Sequence, residues 1–227
     1  MTYLDLVNNV LRRMREEEVS TVSESTYSKM VGDFVNDSKK LVETSWDWSA
    51  LRTTLTIQTT ENIFNYVLTG SKDNIKALDV INDTSNFFME YRNSSWFDDK
   101  YLNETPQTGA PSYYTYNGVD SNGDTQIDVY PKPDGVYVLR FNAVNRGTIY
   151  GENQTVLRPE ILSADTDRLL IPSSPVIHQA IAMLARERGE TGGTSSAEYF
   201  GIAQQYLSDA IALDAQKHPY ETDWYAP

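Results

Sequence analysis

Cysteine is absent from the 227 residues, and histidine occurs only as His178 and His218. Without thiols the chain cannot form disulfides or a thiolate nucleophile, and two imidazoles leave little for a transition-metal site. No apolar run approaches the roughly 18 residues that a membrane-spanning helix needs. The first residues also lack the basic start and apolar block of a signal peptide. We therefore expect a soluble protein, made and used in a cytosol, with no metal, cofactor or membrane partner.

Basic residues are outnumbered. The chain has 19 lysines and arginines against 32 aspartates and glutamates, a formal net charge of −13. This balance opposes the sequence-independent phosphate binding that basic surfaces provide. A role in gripping DNA is thereby disfavoured, although DNA can pass close to an acidic surface without adhering. The acidity can also serve solubility alone.

Motifs for catalysis or ion binding are scarce, and each candidate has a simpler structural interpretation. The run Asp120 to Asp124 resembles the start of a calcium loop, but its glycine comes one place early and Pro131 replaces the closing glutamate. Asp165 and Asp167 could act as the carboxylate pair of a glycoside hydrolase, yet loop aspartates more often hold turns. His178 has no recognisable nucleophile or orienting acid, which favours a hydrogen-bonded core or interface residue. We predict no catalytic and no metal-binding residues.

Helical spacing of apolar residues appears first at the N-terminus. It predicts a helix over residues 2–17, with Thr2 and Asp5 as its capped start, and a second helix from about Tyr27 to Trp46. We expect Trp46 and Trp48 to anchor these helices to the sheet that follows. The predicted apolar positions are Leu4, Val7, Leu11 and Met14 in the first helix and Tyr27, Val31, Phe34, Leu41 and Val42 in the second.

The middle of the chain changes to short alternating segments with polar or glycine-containing turns, which predicts strands over 51–57, 63–68, 75–81 and 87–91. A short helix is expected over 94–102. Farther on, Ile127–Tyr130 and Val136–Val144 flank a Pro-Lys-Pro-Asp-Gly turn and predict a hairpin. The spacing favours a small sandwich or a twisted antiparallel sheet inserted between helices.

Two further helices are predicted near the C-terminus. The first begins with Ser174 as cap and Pro175 as first helical residue and ends near Gly189. A capping-box pattern from Ser195 to Glu198 opens the second, which runs to about Gln216. This last helix has two apolar stripes, an inner one of Phe200, Ala203, Leu207 and Ala210 and an outer one of Tyr199, Ile202, Tyr206 and Leu213.

Two stripes are more than one partner helix requires. Either the last helix is buried within its own domain, or one stripe packs against another subunit. We predict that the outer stripe, Tyr199, Ile202, Tyr206 and Leu213, is a subunit interface.

The predicted fold class is α+β, an antiparallel helical bundle built from N- and C-terminal helices with an inserted β-rich domain. Residues 1–48 and 169–217 would supply the bundle, and residues 49–168 the insert. Residues 218–227 would form a C-terminal arm, because Pro219 prevents regular continuation of the last helix.

This order of parts resembles the head-to-tail adaptor proteins of short-tailed bacteriophages, also called tail tubular protein A or portal–tail connectors. The resemblance covers nearly the whole chain and depends on the ordered combination of elements, since no single motif marks the family. The elements are the helix pair ending in Trp46-Asp47-Trp48, the β-rich middle, the segment Val129–Gly135 with Tyr137–Arg140, Asp165-Thr166-Asp167, Ile171-Pro172 and His178–Ile181.

The resemblance implies a structural virion protein of the tail neck, assembled in the host cytoplasm as a ring of twelve beneath the portal. Its implied partners are the portal protein, a tail tube or nozzle protein, and tail fibres as further candidates. Double-stranded DNA would pass through the ring without specific binding. Adaptor C-terminal segments reach the portal, so Tyr220, Trp224 and Tyr225 become the predicted portal-binding residues. The resemblance carries over no catalytic residue.

A different class of function also stays open. In a glycan-binding or glycan-processing tail module, the tyrosines, Trp96 and the pair Asp165 and Asp167 would line a groove. Strands favour aromatic residues intrinsically, which also accounts for the 15 tyrosines. A neck protein at another level of the same particle is the third possibility.

Overall fold

The computed structural model of this protein describes residues 1–151, 156–157, 160–189 and 196–217. Its helices are α1 (Tyr3–Arg13), α2 (Thr26–Ser45), α3 (Ser94–Asp98), α4 (Ser173–Glu187) and α5 (Ser196–Ala215). Its strands are β1 (Arg52–Gln58), β2 (Asn65–Val67), β3 (Ile75–Asn82), β4 (Phe87–Phe88), β5 (Glu90–Tyr91), β6 (Tyr113–Val119), β7 (Thr125–Tyr130), β8 (Val138–Asn145), β9 (Ile149–Tyr150) and β10 (Val156–Leu157). None of the described helices combines the length and the apolarity needed to cross a membrane.

The chain forms two compact units. The helical unit comprises Met1–Leu51 and the described part of Arg146–Pro227, and the β unit is Arg52–Asn145. The predicted α+β class is confirmed, because the N- and C-terminal helices pack together and the strands of two four-stranded sheets lie between them in the sequence. The described residues of 146–168, a range that the predicted insert included, lie in the helical unit, where the Asp167 carbonyl accepts a hydrogen bond from the Tyr3 amide at 2.7 Å.

The predicted cap of α1 is confirmed. The Asp5 amide donates to Thr2 Oγ1 and the Thr2 amide donates to Asp5 Oδ2, each at 3.1 Å, so two of the orphan amides at the helix start are satisfied. The residues that α1 buries are Tyr3, Leu6, Val7, Val10 and Leu11.

The predicted apolar face of α2 is buried only in part. Val31 and Val42 are buried, but Leu41 is 50% exposed and Phe34 only half-buried. The contact with α1 is made through Gly32, where a Cβ atom would collide with the Tyr3 hydroxyl and lie 3.0 Å from Val22 Cγ1. Small and polar residues therefore occupy much of the core side of this helix, whose buried residues are Ser28, Val31, Gly32, Val35, Ser38, Lys39, Val42 and Glu43.

Lys39 and Glu43 form a buried ion pair on α2. Lys39 Nζ lies 3.1 Å from Glu43 Oε2 and also donates to the Glu160 carbonyl at 3.1 Å, while the Gly147 amide donates to Glu43 Oε2 at 3.2 Å. Burial raises the pKa of Glu43, against the opposing effect of Lys39. The ion pair thus binds Gly147 and Glu160, two residues of the chain that follows the β unit, to α2.

The β unit has two four-stranded sheets, with strand orders β1-β8-β3-β4 and β2-β7-β6-β5. Side chains from both sheets meet in one core, as in a small sandwich. The core residues are Ile57, Leu68, Val80, Met89, Ile127, Val129, Leu139 and Phe141.

The predicted hairpin of Ile127–Tyr130 with Val136–Val144 is wrong. These segments, within β7 and β8, lie in different sheets: β7 pairs with β6, whereas β8 lies between β1 and β3. Pro131 and Pro133 lack the amide that a ladder needs, and the Lys132 amide donates instead to the Gln107 carbonyl at 3.0 Å. The proline-rich segment therefore leads the chain from one sheet to the other.

Candidate assembly interface

The last two helices lie side by side and present the predicted interface. The first of them, α4, begins at Ser173, with Pro172 in the cap position and no side-chain cap. The prediction of Ser174 as cap and Pro175 as first helical residue is therefore wrong, and the Ser174 carbonyl instead accepts a hydrogen bond within the helix. The predicted end is confirmed, since Gly189 follows the cap residue Arg188 with a φ of 60°. The predicted capping box that opens α5 begins at Ser195, outside the described residues.

The two predicted stripes of α5 differ in exposure. On the inner stripe Ala203 is buried, and Leu207 and Ala210 are half-buried against α4. On the outer stripe Ile202, Tyr206 and Leu213 are 45%, 41% and 66% exposed, and Tyr199 is half-buried. The outer stripe is thus an apolar ridge on the surface of the helical unit, and its role between subunits stays a prediction.

A groove of about 440 Å³, the outer groove, runs beside this ridge between the start of α4 and the second half of α5. Its walls are mostly apolar, and its acidic and basic groups lie toward the end of α5. The residues that line it are Pro172, Ser174, Pro175, Tyr206, Asp209, Ala210, Leu213, Asp214 and Lys217.

His178 fixes Tyr206 within this surface. The two rings stack at 3.8 Å between centroids and 13° between planes. The His178 Nδ1–H donates to the Ser174 carbonyl at 2.8 Å, and its Nε2 accepts from the Arg13 guanidinium at 2.9 Å. Burial lowers the pKa of His178, and the Arg13 charge adds to this effect against an opposing contribution from the Ser174 carbonyl. A neutral imidazole in this tautomer suits both hydrogen bonds and agrees with the predicted structural role.

Asp214 anchors the end of α5. Its buried carboxylate accepts hydrogen bonds from Trp46 Nε1 at 3.2 Å, from the Ser49 amide at 2.8 Å and hydroxyl at 2.5 Å, and from Lys217 Nζ at 2.9 Å. Burial alone would raise the pKa of Asp214, but the hydrogen bonds from Ser49 and Lys217 outweigh it and lower the pKa. Trp48, fully buried, donates from Nε1 to the Val42 carbonyl at 2.7 Å. Both tryptophans thus secure the end of α2.

A second groove, the α2–α4 groove of about 580 Å³, is lined by α2, α4 and the start of α5, whereas the outer groove is lined by the start of α4 and the second half of α5. Sequence reasoning missed it, because Phe34 and Leu41 fell on the expected core face of α2. The residues that line it are Phe34, Leu41, Gln179, Met183, Arg186, Glu187 and Phe200.

The aspartates considered for catalysis have structural partners. Asp165 Oδ1 accepts from the Val22 amide at 3.0 Å. Asp167 Oδ2 accepts from the amides of Ser163 and Ala164, both at 2.8 Å. These bonds close a turn and join it to the chain before α2, which is the loop role weighed from the sequence.

The proposed calcium-loop residues also form a turn. Asp120 Oδ1 accepts from the amides of Asn122 and Asp124 at 2.8 Å each, in the connection between β6 and β7. Within the described ranges, no three His, Cys, Asp or Glu side chains group closely enough to hold a metal ion.

Trp96 belongs to an aromatic cluster in the β unit. Its ring lies 4.9 Å from that of Tyr113 and 5.4 Å from that of Tyr130, while Arg92 and Lys100 lie 6.0 Å and 5.8 Å from its centre. Packing and cation–π attraction within the β unit thus give Trp96 a structural role.

The predicted portal-binding residues Tyr220, Trp224 and Tyr225 lie outside the described residues, as does the predicted arm 218–227 that contains them. Their role stays a prediction.

Comparison with known proteins gives one family. A family model described as SU10 adaptor protein matches residues 1–225. No curated protein matches the chain.

Proposed function

Because the chain belongs to the SU10 adaptor protein family, we propose that it is a structural virion protein acting as a head-to-tail adaptor. In this role twelve copies form a ring that joins the portal to the tail and encloses a passage for DNA. The observation that carries the proposal is the match over residues 1–225, which spans both units.

The exposed ridge on α5 supports the ring. A closed ring of identical subunits requires heterologous contacts, in which one patch of each subunit meets a different patch of the next. Ile202, Tyr206 and Leu213 provide a contiguous apolar surface for one side of such a contact. Large exposed apolar patches on a protein surface mark sites of contact with other molecules, including other proteins.

The net charge of −13 supports the passage for DNA. Duplex binding without sequence preference depends on neutralising phosphates with lysine and arginine. A surface with an acidic surplus lets the genome move past without such contacts.

The C-terminal residues are the proposed attachment to the portal. Tyr220, Trp224 and Tyr225 are aromatic, and tyrosine and tryptophan are among the residues that most often dominate binding energy at interfaces. A tail tube or nozzle protein, and tail fibres where they attach, would contact the ring on the side away from the portal.

The test is assembly with the portal protein of the same virus, followed by electron microscopy and mass measurement. We expect a ring of the wild-type protein on the portal. Leu213→Asp should prevent the ring while leaving the melting temperature unchanged, because Leu213 is 66% exposed.

The control is Leu207→Asp on the inner stripe. It should destabilise the isolated protein by ~3 kcal/mol, because it places a carboxylate against α4. Normal rings from Leu213→Asp would place the interface elsewhere. Failure of the wild-type protein to join the portal, together with glycan binding on an array, would favour the glycan-binding alternative.

A further inference from the structure

The described residues of the helical unit expose the outer ridge and the α2–α4 groove, and a ring contact needs two different surfaces on each subunit. Resting on the proposed function, we propose that the α2–α4 groove of each subunit receives the outer ridge of α5 from the neighbouring copy. The occupant of the groove is thus a second copy of this chain.

One surface offers exposed apolar side chains and the other a concavity that can receive them. Ile202 and Leu213 of the ridge are 45% and 66% exposed, whereas the groove is a concavity of about 580 Å³. On α4, Ser174 and His178 face the side of the ridge, and Met183 faces the groove. Because the two surfaces share no lining residue, each can bind a different neighbour, which is the arrangement that a head-to-tail contact demands.

The chemistry of the groove suits apolar side chains of irregular outline. Phe34, Met183 and Phe200 are half-buried, and Leu41 is 50% exposed. Methionine adapts its shape to a partner more readily than branched residues do. Leucine and isoleucine from a neighbouring α5 would cover the exposed parts of these four residues.

One charged side chain on each surface can also form an ion pair across the contact. Asp209 lines the outer groove beside the ridge, and its Oδ1 accepts a hydrogen bond from the side-chain amide of Gln205 at 2.9 Å. Among the described residues it forms no ion pair. Arg186 and Glu187 both line the α2–α4 groove and are exposed, and Arg186 is the cation that an incoming carboxylate can meet there. A ridge docked in the groove would bring the carboxylate of one subunit to the guanidinium of the next.

The absence of native cysteine makes a direct test possible. Leu213→Cys on the ridge and Leu41→Cys in the groove are mixed, assembled on the portal and oxidised. We expect a disulfide between the two variants in the mixture and none in rings of either variant alone. The matched control is Leu213→Cys with Val136→Cys, a residue of the β unit that is 67% exposed, which should not crosslink.

A charge exchange provides an independent test. Asp209→Arg and Arg186→Asp should each reduce ring yield at least tenfold at low salt, and the double variant should recover most of the yield. Both of these positions are exposed, as are Leu213 and Leu41, so melting temperatures should stay at the wild-type value.

The outcomes separate this inference from the proposed function. If wild-type rings form on the portal but the Leu213→Cys and Leu41→Cys variants do not crosslink, or if the double charge variant is no better than the single ones, the groove is not the acceptor. Crosslinks of Leu213→Cys with itself would show a symmetric contact and would likewise overturn it. If the wild-type protein forms no ring on the portal, the proposed function fails instead.

Discussion

At the scale of single residues, Asp214 joins two distant parts of the sequence. Its carboxylate receives hydrogen bonds from Trp46, Ser49 and Lys217. Asp214→Asn should lower the free energy of unfolding by about 2 kcal/mol, because buried donors lose a charged acceptor. Urea denaturation at pH 7 measures the change. Asp209→Asn, exposed on the same helix, is the control and should stay within about 0.5 kcal/mol of wild type.

The same residue predicts a pH dependence. A lowered pKa in the folded state means that Asp214 stabilises the protein above the ordinary aspartate pKa, and that this contribution disappears as the pH falls through the folded-state value. The stability difference between wild type and Asp214→Asn should therefore shrink below about pH 4. A difference that stays constant in acid would show that the carboxylate charge is not the source of the stabilisation.

At the scale of elements, the lack of a side chain at Gly32 allows α1 and α2 to pack closely. Gly32→Ala should destabilise the protein by about 1–3 kcal/mol, because the added methyl group meets the Tyr3 hydroxyl and Val22. Gly201→Ala is the matched helical control, since a Cβ there has no neighbour within 4 Å, and it should stabilise by about 0.5–1 kcal/mol. Thermal and chemical denaturation measure both. Equal effects of the two changes would contradict the close approach.

Local signals predicted the elements better than their pairing. The Thr2–Asp5 cap and the Gly189 terminus depend on neighbouring residues and could be predicted. The pairing of β7 with β6 rather than β8 depends on contacts far along the chain, which turn-forming residues do not encode. The face of α2 was predicted only in part, because its core contacts also use Gly32 and the paired Lys39, residue types that a search for apolar spacing ignores.

At the candidate interface, too, features of a single segment could be predicted, whereas features formed by several segments could not. The outer stripe was predicted from helical spacing, and exposure of Ile202, Tyr206 and Leu213 agrees with it. The α2–α4 groove is formed by three helices together, so no single segment indicates it. The anchoring role of Asp214 was not predicted. The chain has many acidic residues, and only the folded structure shows that hydrogen-bond donors surround this one.

At the scale of the whole molecule, a deletion tests the proposed role of the C-terminal residues. Deleting residues 219–227 should leave the melting temperature of the isolated protein nearly unchanged but weaken its attachment to the portal, since the deletion removes Trp224 and Tyr225. Calorimetry and a binding titration with purified portal measure the two effects. A truncated protein that binds the portal as tightly as the full chain would place the attachment in the described units.

The charge of the whole molecule predicts weak contact with DNA. With a net charge of −13, the protein should show no measurable binding to a duplex in fluorescence anisotropy, even at about 50 mM salt, where phosphate contacts are strong. Replacing exposed carboxylates by lysine should introduce binding that weakens as salt is added. Tight binding of the duplex by the wild-type protein would contradict the proposal that DNA passes through the ring without being bound.

The β unit begins and ends on neighbouring strands. Arg52 and Val144 are register partners of β1 and β8, at the spacing of about 5 Å that antiparallel strands have. In terms of the gene, residues 52–145 are therefore a cassette. Such a segment can be exchanged or removed as one continuous piece, because a short turn can join Leu51 to Arg146 without altering the helical sequence on either side. Inheritance of the helices and of the β cassette can thus follow separate histories in viruses that share this adaptor.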